Sequence, residues 1–338
     1  VLEKHKFDFI ALEKFMSENV SDFEGPIKVE EFKGGQSNPT YKVTDKNRSY
    51  VLRRKPPGKL LKSAHAVDRE YRVITALNQT DVPVPTSYAL CEDENIIGTA
   101  FYIMEFMDGR VLWDASMEKH SKEEALGVYT SMNSTMAKLH SVDPYEIGLE
   151  TFGKPGNYVG RQVSIWTKQY QDSETEEIPE MNKLIEWFPE NLPSDKPLRI
   201  VHGDFSLTNL MIDKTQPEVI AILDWELSTL GDPCADFSCH CMQYRLNPKL
   251  ADEKYCKEKG IPTEKEYVSM YIEKSGFDLD KEWELYMAYN LFKSAGILQG
   301  IVGRVRDGTA ANKNAEEMRA RVRPLAEGAW KLIEENFV

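Results

Sequence analysis

A chain of 338 residues with 41% hydrophobic and 29% charged side chains has enough apolar matter for one large two-lobed enzyme or two ordinary domains. Its 42 Lys and Arg against 55 Asp and Glu leave a net charge of −13, which argues against general binding to nucleic acid or to an anionic membrane. The five cysteines are odd in number and irregular in spacing, which argues against a disulfide framework and for a reducing compartment.

Charges run through Val1–Val20, so no signal peptide is expected, and no uncharged stretch reaches the ~18 residues of a membrane span. The expected location is intracellular, the cytoplasm first, with mitochondrion and peroxisome as alternatives. Apolar spacing at Phe7, Ile10 and Phe15 predicts a first helix over Phe7–Val20. Strand-like runs follow at Ile27–Phe32, Thr40–Val43 and Ser49–Arg53, separated by turn material at Gly34–Pro39 and Asp45–Asn47. A helix is predicted over His65–Asn78, then strands at Thr86–Leu90 and Ala100–Phe106.

After Met107-Asp108-Gly109 the texture becomes helical: Ser121–Ser141, Val163–Gln171 and Ile178–Phe188. Short strands at Arg199–Val201, Leu210–Ile212 and Val219–Leu223 interrupt it, and helices return over Ala235–Arg245, Glu264–Ser275, Lys281–Gly303 and Lys313–Asn336. A strand-rich first third and a helix-rich remainder predict an α+β fold of two lobes, residues 1–107 and 108–338, with a cleft between them.

The most informative segment is His202-Gly203-Asp204-Phe205-Ser206-Leu207-Thr208-Asn209, followed by Leu223-Asp224-Trp225-Glu226. It sets an Asp and an Asn five positions apart and a second Asp after an apolar strand, as in a kinase catalytic loop. Asp204 is the expected base for an acceptor hydroxyl, and His202 braces its loop. Asn209 and Asp224 are the expected magnesium ligands, because that ion prefers oxygen donors and retains phosphate oxygens and water. Upstream, Tyr50-Val51-Leu52-Arg53 occupies the place of the kinase phosphate-contacting strand, with Glu70 as the partner of Arg53. Strand alternation sends Arg53 and Arg54 to opposite faces, and Arg54 and Lys55 read as a solvated basic strand end. Gly34-Gly35-Gln36-Ser37-Asn38 lacks the Gly-x-Gly-x-x-Gly pattern, but its position makes Gly35, Ser37 and Asn38 candidate phosphate contacts. Backbone at Glu105 and Met107 is the expected hinge contact for adenine, and Asp236 is expected to brace the catalytic loop. Cys239-His240-Cys241 lacks zinc-pair spacing and reads as a buried helix face.

At HGDFSLTNLMID, ILDWELSTLGDPCAD, FKGGQSNPTYKV, YVLRRKPPG and FYIMEFMDGR the chain resembles the aminoglycoside phosphotransferase-like kinase superfamily. The whole pattern is similar to the kinase-like domain at the front of acyl-CoA dehydrogenase family members ten and eleven. The resemblance implies a protein-kinase-like fold, ATP and Mg2+, and a small-molecule acceptor that is a hydroxy acid or its acyl-CoA thioester. It also implies descent from, or work beside, an acyl-CoA dehydrogenase. For the acceptor, Arg161, Trp166, Tyr170 and Arg304 are the candidates, combining cations with aromatics. Gly296, Gly300 and Gly303 read as helix-packing positions. Two alternatives stand beside this reading: a kinase for a cationic alcohol such as choline or an aminoglycoside, served by the acidic run Glu176, Glu177 and Glu180, and a nucleotide-binding regulatory domain without turnover.

Overall fold

The computed structural model describes residues 7–32, 38–57, 66–308 and 315–338. Helix α1 (Phe9–Asn19) opens with Asp8, whose carboxylate accepts from the Ile10 and Ala11 amides, and buries Leu12 and Met16. Strands β1 (Lys28–Glu31), β2 (Thr40–Thr44) and β3 (Ser49–Arg54) form antiparallel neighbours. Helix α2 (Val67–Leu77) crosses to β4 (Ser87–Cys91); a short α3 (Glu94–Ile97) precedes β5 (Phe101–Glu105). The five strands make one sheet in the order β1-β2-β3-β5-β4, so β5 inserts between β3 and β4. Its register sets Arg53 opposite Tyr102 and Tyr50 opposite Glu105. One face of the sheet buries Tyr41, Tyr50, Leu52 and Phe101 against α1, and this small core is separate from the main one.

One expectation fails here. Arg54 is not a solvated strand end: it is 3% exposed, its Nε donates to Thr99 Oγ1 at 2.8 Å, and its guanidinium covers the Phe7 ring. Alternation put Arg54 on the α1 face, and that face is buried because α1 covers it.

The second lobe is built on α4 (Lys122–Ser141), capped by Ser121. Helices α5 (Tyr158–Ser173) and α6 (Pro179–Trp187) follow, then β6 (Arg199–Val201), β7 (Leu210–Ile212), β8 (Val219–Ile222) and β9 (Thr229–Gly231). β7 pairs with β8, and β6 pairs with β9, a strand not foreseen because it depends on its pairing with β6. Helices α7 (Pro233–Cys241), α8 (Gln243–Leu246), α9 (Glu253–Lys259), α10 (Glu264–Ser275), α11 (Trp283–Arg306) and α12 (Ala315–Asn336) complete it. The Thr263–Glu266 capping box starts α10. No helix among the described residues is long and apolar enough to cross a membrane.

Two contacts fix the cleft between the lobes. Arg110, just past β5, exchanges both backbone bonds with Ile212 at 2.8 Å, and the Ile222 amide donates to Pro83 O at 2.9 Å. The β7–β8 hairpin is thereby stitched to the end of the first lobe.

Helices α5 and α11 run in parallel, with Trp166, Gln169 and Ser173 set against Gly296, Gly300 and Gly303. A Cβ on Gly303 would lie 2.5 Å from Ser173 Cβ and 3.1 Å from its Cα, so the α5 backbone leaves no space. Gly328 in α12 is the contrasting case, since a Cβ there would meet Leu291 at an ordinary 3.7 Å. Gly303→Ala should therefore destabilise by about 1–3 kcal/mol, whereas Gly328→Ala should stabilise by about 0.5–1 kcal/mol through helix propensity. Urea midpoints of the two variants check this, and equal shifts would contradict it.

Candidate active site

A cavity of about 380 Å³ lies between the sheet and the β7–β8 hairpin, within the size range of small-molecule sites. Val51, Met104, Met211 and Ile222 supply apolar walls, and Glu105, Phe106 and Met107 form its edge. Trp113 also lines it while 81% exposed, an aromatic at the mouth that sequence reading passed over. At the polar end stand Arg53, Asn209 and Asp224.

Arg53 is the centre of the charge arrangement. Its Nε lies 2.8 Å from Glu70 Oε2, its Nη2 donates to Asp224 Oδ1 at 2.7 Å, and Glu226 Oε2 is 3.8 Å from Nη2. Glu70, 1% exposed on α2, also accepts from Asn38 Nδ2 at 2.9 Å and from the Tyr102 hydroxyl at 3.1 Å. Burial pushes the Glu70 carboxyl up to about 7 even with Arg53 beside it. Arg53 itself is held charged: burial works against its charge, but Glu70, Asp224 and Glu226 raise its pKa. The planar guanidinium reaches two carboxylates in different directions, which an ammonium cannot do with fixed geometry. Tyr102 was not anticipated; the signal was its place opposite Arg53 on the neighbouring strand.

The loop after β6 carries Asp204. Asn209 Nδ2 donates to both Asp204 O (2.9 Å) and Asp204 Oδ2 (2.8 Å), closing the turn. The Asp204 side chain reaches solvent at the loop surface, yet the protein around it raises its pKa by desolvation, opposed by the Asn209 hydrogen bond. His202 is fully buried; its Nδ1 accepts from the Asp204 amide at 3.2 Å, which leaves Nε2–H to donate to Leu223 O at 2.9 Å. One imidazole thus links the Asp204 loop to the residue before Asp224. Gly203 has φ +83°, and a Cβ there would be 2.9 Å from Leu227 O, so the turn requires glycine. Asp224 also adopts the left-handed region (φ 61°), which turns its carboxylate toward Arg53.

Asp236 on α7 lies beneath this loop. Its two oxygens accept from the His202 and Gly203 amides at 2.8 and 2.9 Å, and His140 Nε2 sits 3.3 Å away. Burial alone would raise its pKa; the hydrogen bonds from His140 and from the His202 amide hold it below the usual range. Cys239-His240-Cys241 lies in α7 (Pro233–Cys241), and no group of three or more His, Cys, Asp or Glu suited to a metal occurs among the described residues. Instead, His240 Nδ1 bonds Phe205 O and Nε2 bonds the Tyr267 hydroxyl, both at 2.9 Å, a second brace on the Asp204 loop.

The remaining predicted residues fall as follows. Gly35 and Ser37 lie outside the described residues. Glu105 ends β5 and its carboxylate accepts from the Thr86 amide and hydroxyl. Arg161 donates to the carbonyls of Lys154 and Pro155, Trp166 Nε1 donates to Gln162, and Tyr170 is 1% exposed in the core. Arg304 lines a groove at the far end of the α5–α11 contact with Gln169, Ser173 and Asp307. Arg161, Trp166 and Tyr170 lie along α5, and Arg304 lies in α11. The acidic run is engaged elsewhere: Glu176 pairs with Arg319 and Arg323, and Glu177 O accepts from Arg323.

The donor set suits magnesium. The Asn209 amide nitrogen is committed to Asp204, so its carbonyl Oδ1 is the end left for a cation, and Asp224 retains Oδ2 beside the Oδ1 that meets Arg53. The Leu223 amide donates to Asn209 O at 2.8 Å, which keeps the two ligand residues adjacent. One carboxylate and one carbonyl oxygen match an ion that fills its shell with phosphate oxygens and water.

The profile of the phosphotransferase enzyme family (APH) matches residues 28–267. Acyl-CoA dehydrogenase family member 10 of Mus musculus is 43% identical over 326 residues, 95% of this chain and 30% of that protein. The chain spans less than half the length of the curated relatives it matches. A crystal structure from Ralstonia eutropha JMP134, provisionally described as an aminoglycoside phosphotransferase, is 47% identical over 98% of this chain and 99% of that one, with a TM-score of 0.89. The ADP-bound aminoglycoside phosphotransferase APH(2'')-Ib shares the fold at 16% identity, with a TM-score of 0.61 over 96% of this chain and 99% of that one. The fold is protein-kinase-like, a strand-rich first lobe on a helical second lobe.

The braces beneath Asp204 carry a pH signature. Burial pushes the His240 imidazole down to about 4, against about 6.5 in an unfolded chain. Its stabilising share is complete above the unfolded value and is lost as pH falls toward the folded one, because the unfolded chain takes up a proton that the folded protein refuses. The wild type should lose about 2 kcal/mol more than His240→Gln between pH 7 and pH 5 in urea titrations. Parallel losses would show that His240 does not titrate in this way.

Proposed function

Because the chain belongs to the phosphotransferase enzyme family, we propose that it transfers the γ-phosphoryl group of ATP, with magnesium, to a hydroxyl of a small hydroxy acid, free or as its acyl-CoA thioester. The observation that carries this reading is the grouping of Asp204, Asn209 and Asp224 around one turn, facing Arg53 across the cleft. In this reading residues 1–107 form the nucleotide-binding lobe and 108–338 the catalytic lobe. Relatives named for acyl-CoA dehydrogenases support the acceptor class, and the ADP in a structure of the same fold supports the nucleotide. The Glu176 carboxylate, one of the three acidic groups on which the cationic-alcohol reading relied, is paired with Arg323 of α12.

The chain's own residues act as follows. Backbone at Glu105–Met107 lies at the apolar end of the cleft and meets the base. Arg53, held by Glu70, contacts phosphate oxygens. Asn209 Oδ1 and Asp224 would hold the metal, which would supply charge neutralisation for the phosphates. Asp204 orients the acceptor hydroxyl and takes its proton as the oxygen forms its bond to phosphorus; the bond from phosphorus to the β-phosphate oxygen breaks and ADP leaves. The acceptor enters on the side of Asp204 formed by α5, α7 and α11.

ATP consumption with magnesium across 3- and 4-hydroxy acids, their CoA thioesters, choline and kanamycin tests this, with mass spectrometry of products. A phosphorylated acid or acyl-CoA supports it; phosphocholine or phosphokanamycin, or tight ATP binding with no turnover on the panel, overturns the acceptor class. Asp204→Asn should lower kcat by at least about 10²-fold with ATP affinity retained, and Asp224→Ala should abolish the magnesium dependence of ATP binding. Since Asp204 must be ionised to accept a proton and its pKa is raised, the acid limb of the kcat profile should lie above that of a free aspartate. An acid limb below that of a free aspartate would remove Asp204 as the base.

A further inference from the structure

Just past β5 the chain enters the second lobe without regular structure from Val111 to Asp114. Burial alternates along it. Leu112 is buried in the main core, whereas Val111 and Trp113 on either side of it line the cavity between the lobes.

The backbone that carries Trp113 is pinned on both sides. Before it, Arg110 exchanges both backbone bonds with Ile212, and its Nε donates to Asp213 O at 2.9 Å. After it, Asp114 Oδ1 accepts from the Ser116 amide at 2.9 Å and hydroxyl at 2.6 Å, and Oδ2 accepts from the Glu118 amide at 3.2 Å. The Tyr129 hydroxyl donates to Ala115 O at 2.6 Å and the Tyr255 hydroxyl to Ser116 O at 2.8 Å. On this fixed support the indole is 81% exposed, with no hydrogen bond or ring contact among the described residues. Of the six tryptophans it alone is exposed. Trp225, the other one at the cavity, is 2% exposed and donates its Nε1–H to Ile222 O. Folding gains little from an indole placed as Trp113 is. A planar ligand gains more, because the ring needs only its two side-chain torsions, and no backbone movement, to cover it.

The cavity decides which ligand that is. Its lining includes Glu105, Phe106 and Met107 at one edge, Met211 and Ile222 in its walls, and Arg53, Asn209 and Asp224 at its polar end. Asp204 is not part of the lining. An acceptor must bring its hydroxyl to Asp204, so the molecule that fills this cavity is the nucleotide. Phe32 of the first lobe lines the same cavity, its ring parallel to that of Phe106 within 7° and 6.4 Å from it between centroids. Phe32 thus has an aromatic partner within the protein, and Trp113 in the second lobe has none.

We propose that Trp113 stacks on the purine nucleoside of the bound nucleotide and supplies a large share of its affinity. This rests on the phosphotransfer reading above and deepens it, naming the side chain that holds the nucleoside. The stack adds affinity without reading the base, since every base has a π-face.

The test uses binding alone, with no acceptor. The probes are ADP, adenosine and inorganic tripolyphosphate, each with magnesium, followed by titration calorimetry and by acrylamide quenching of tryptophan emission. ADP and adenosine should shield the exposed emission from acrylamide, tripolyphosphate should not, and Trp113→Phe should lack that emission. Trp113→Leu should weaken ADP binding about 5- to 100-fold, the range for a base–aromatic stack, and leave tripolyphosphate binding unchanged. Trp113→Phe should keep most of the ADP affinity. Both variants should melt with the wild type, since an indole this exposed adds little to the fold. Trp113→Leu binding ADP as the wild type does, or losing ADP and tripolyphosphate by the same factor, would overturn the stack and leave the phosphotransfer reading standing. A wild type that binds no ADP would overturn both.

Discussion

The ion pairs of Arg53 are the constraint on which the rest of the site depends. A single guanidinium, anchored on β3, meets Glu70 of α2 in the first lobe and Asp224 of the second. An unpaired buried carboxylate at Glu70 would be costly, so Arg53 is needed even before any ligand arrives. Asn38 and Tyr102 complete the Glu70 carboxylate with hydrogen bonds, which leaves Arg53 aimed across the cleft. Asp224 thereby has a cationic partner in the nucleotide-free protein, and the closely spaced acidic groups of the cleft do not repel it open.

The second lobe holds the other half of the site by neutral and charge-assisted hydrogen bonds to backbone. Asp236 fixes the two amides before Asp204, His202 ties that turn to Leu223, and His240 ties Phe205 to α7. Each brace comes from a buried side chain, so the loop is rigid although it lies at the surface of the cleft. Such preorganisation is what phosphoryl transfer asks of a protein, since positioning and charge carry most of the catalysis.

Much of this was legible in the sequence because the relevant spacing is local. The Asp204–Asn209 interval and the apolar run before Asp224 are short-range patterns, and so is the strand that carries Arg53. The helices were legible from their periodicity. What escaped depends on distant pairing. Strand β9 exists because β6 lies beside it, Tyr102 matters through its register with Arg53, and Arg54 is buried because α1 covers the sheet. The four residues first considered for the acceptor share a composition suited to anions, but their positions on α5 and α11 send them to different surroundings.

The central claim is that Asp224, paired with Arg53 within the protein, is the residue that would take the metal when nucleotide binds. A crystal structure with magnesium and a non-hydrolysable ATP analogue tests it most directly. The account predicts metal density between Asn209 Oδ1 and Asp224, with the Arg53 guanidinium turned to phosphate oxygens and still paired with Glu70. An Arg53–Asp224 pair left intact beside a bound nucleotide, with the metal held by other residues, would contradict it.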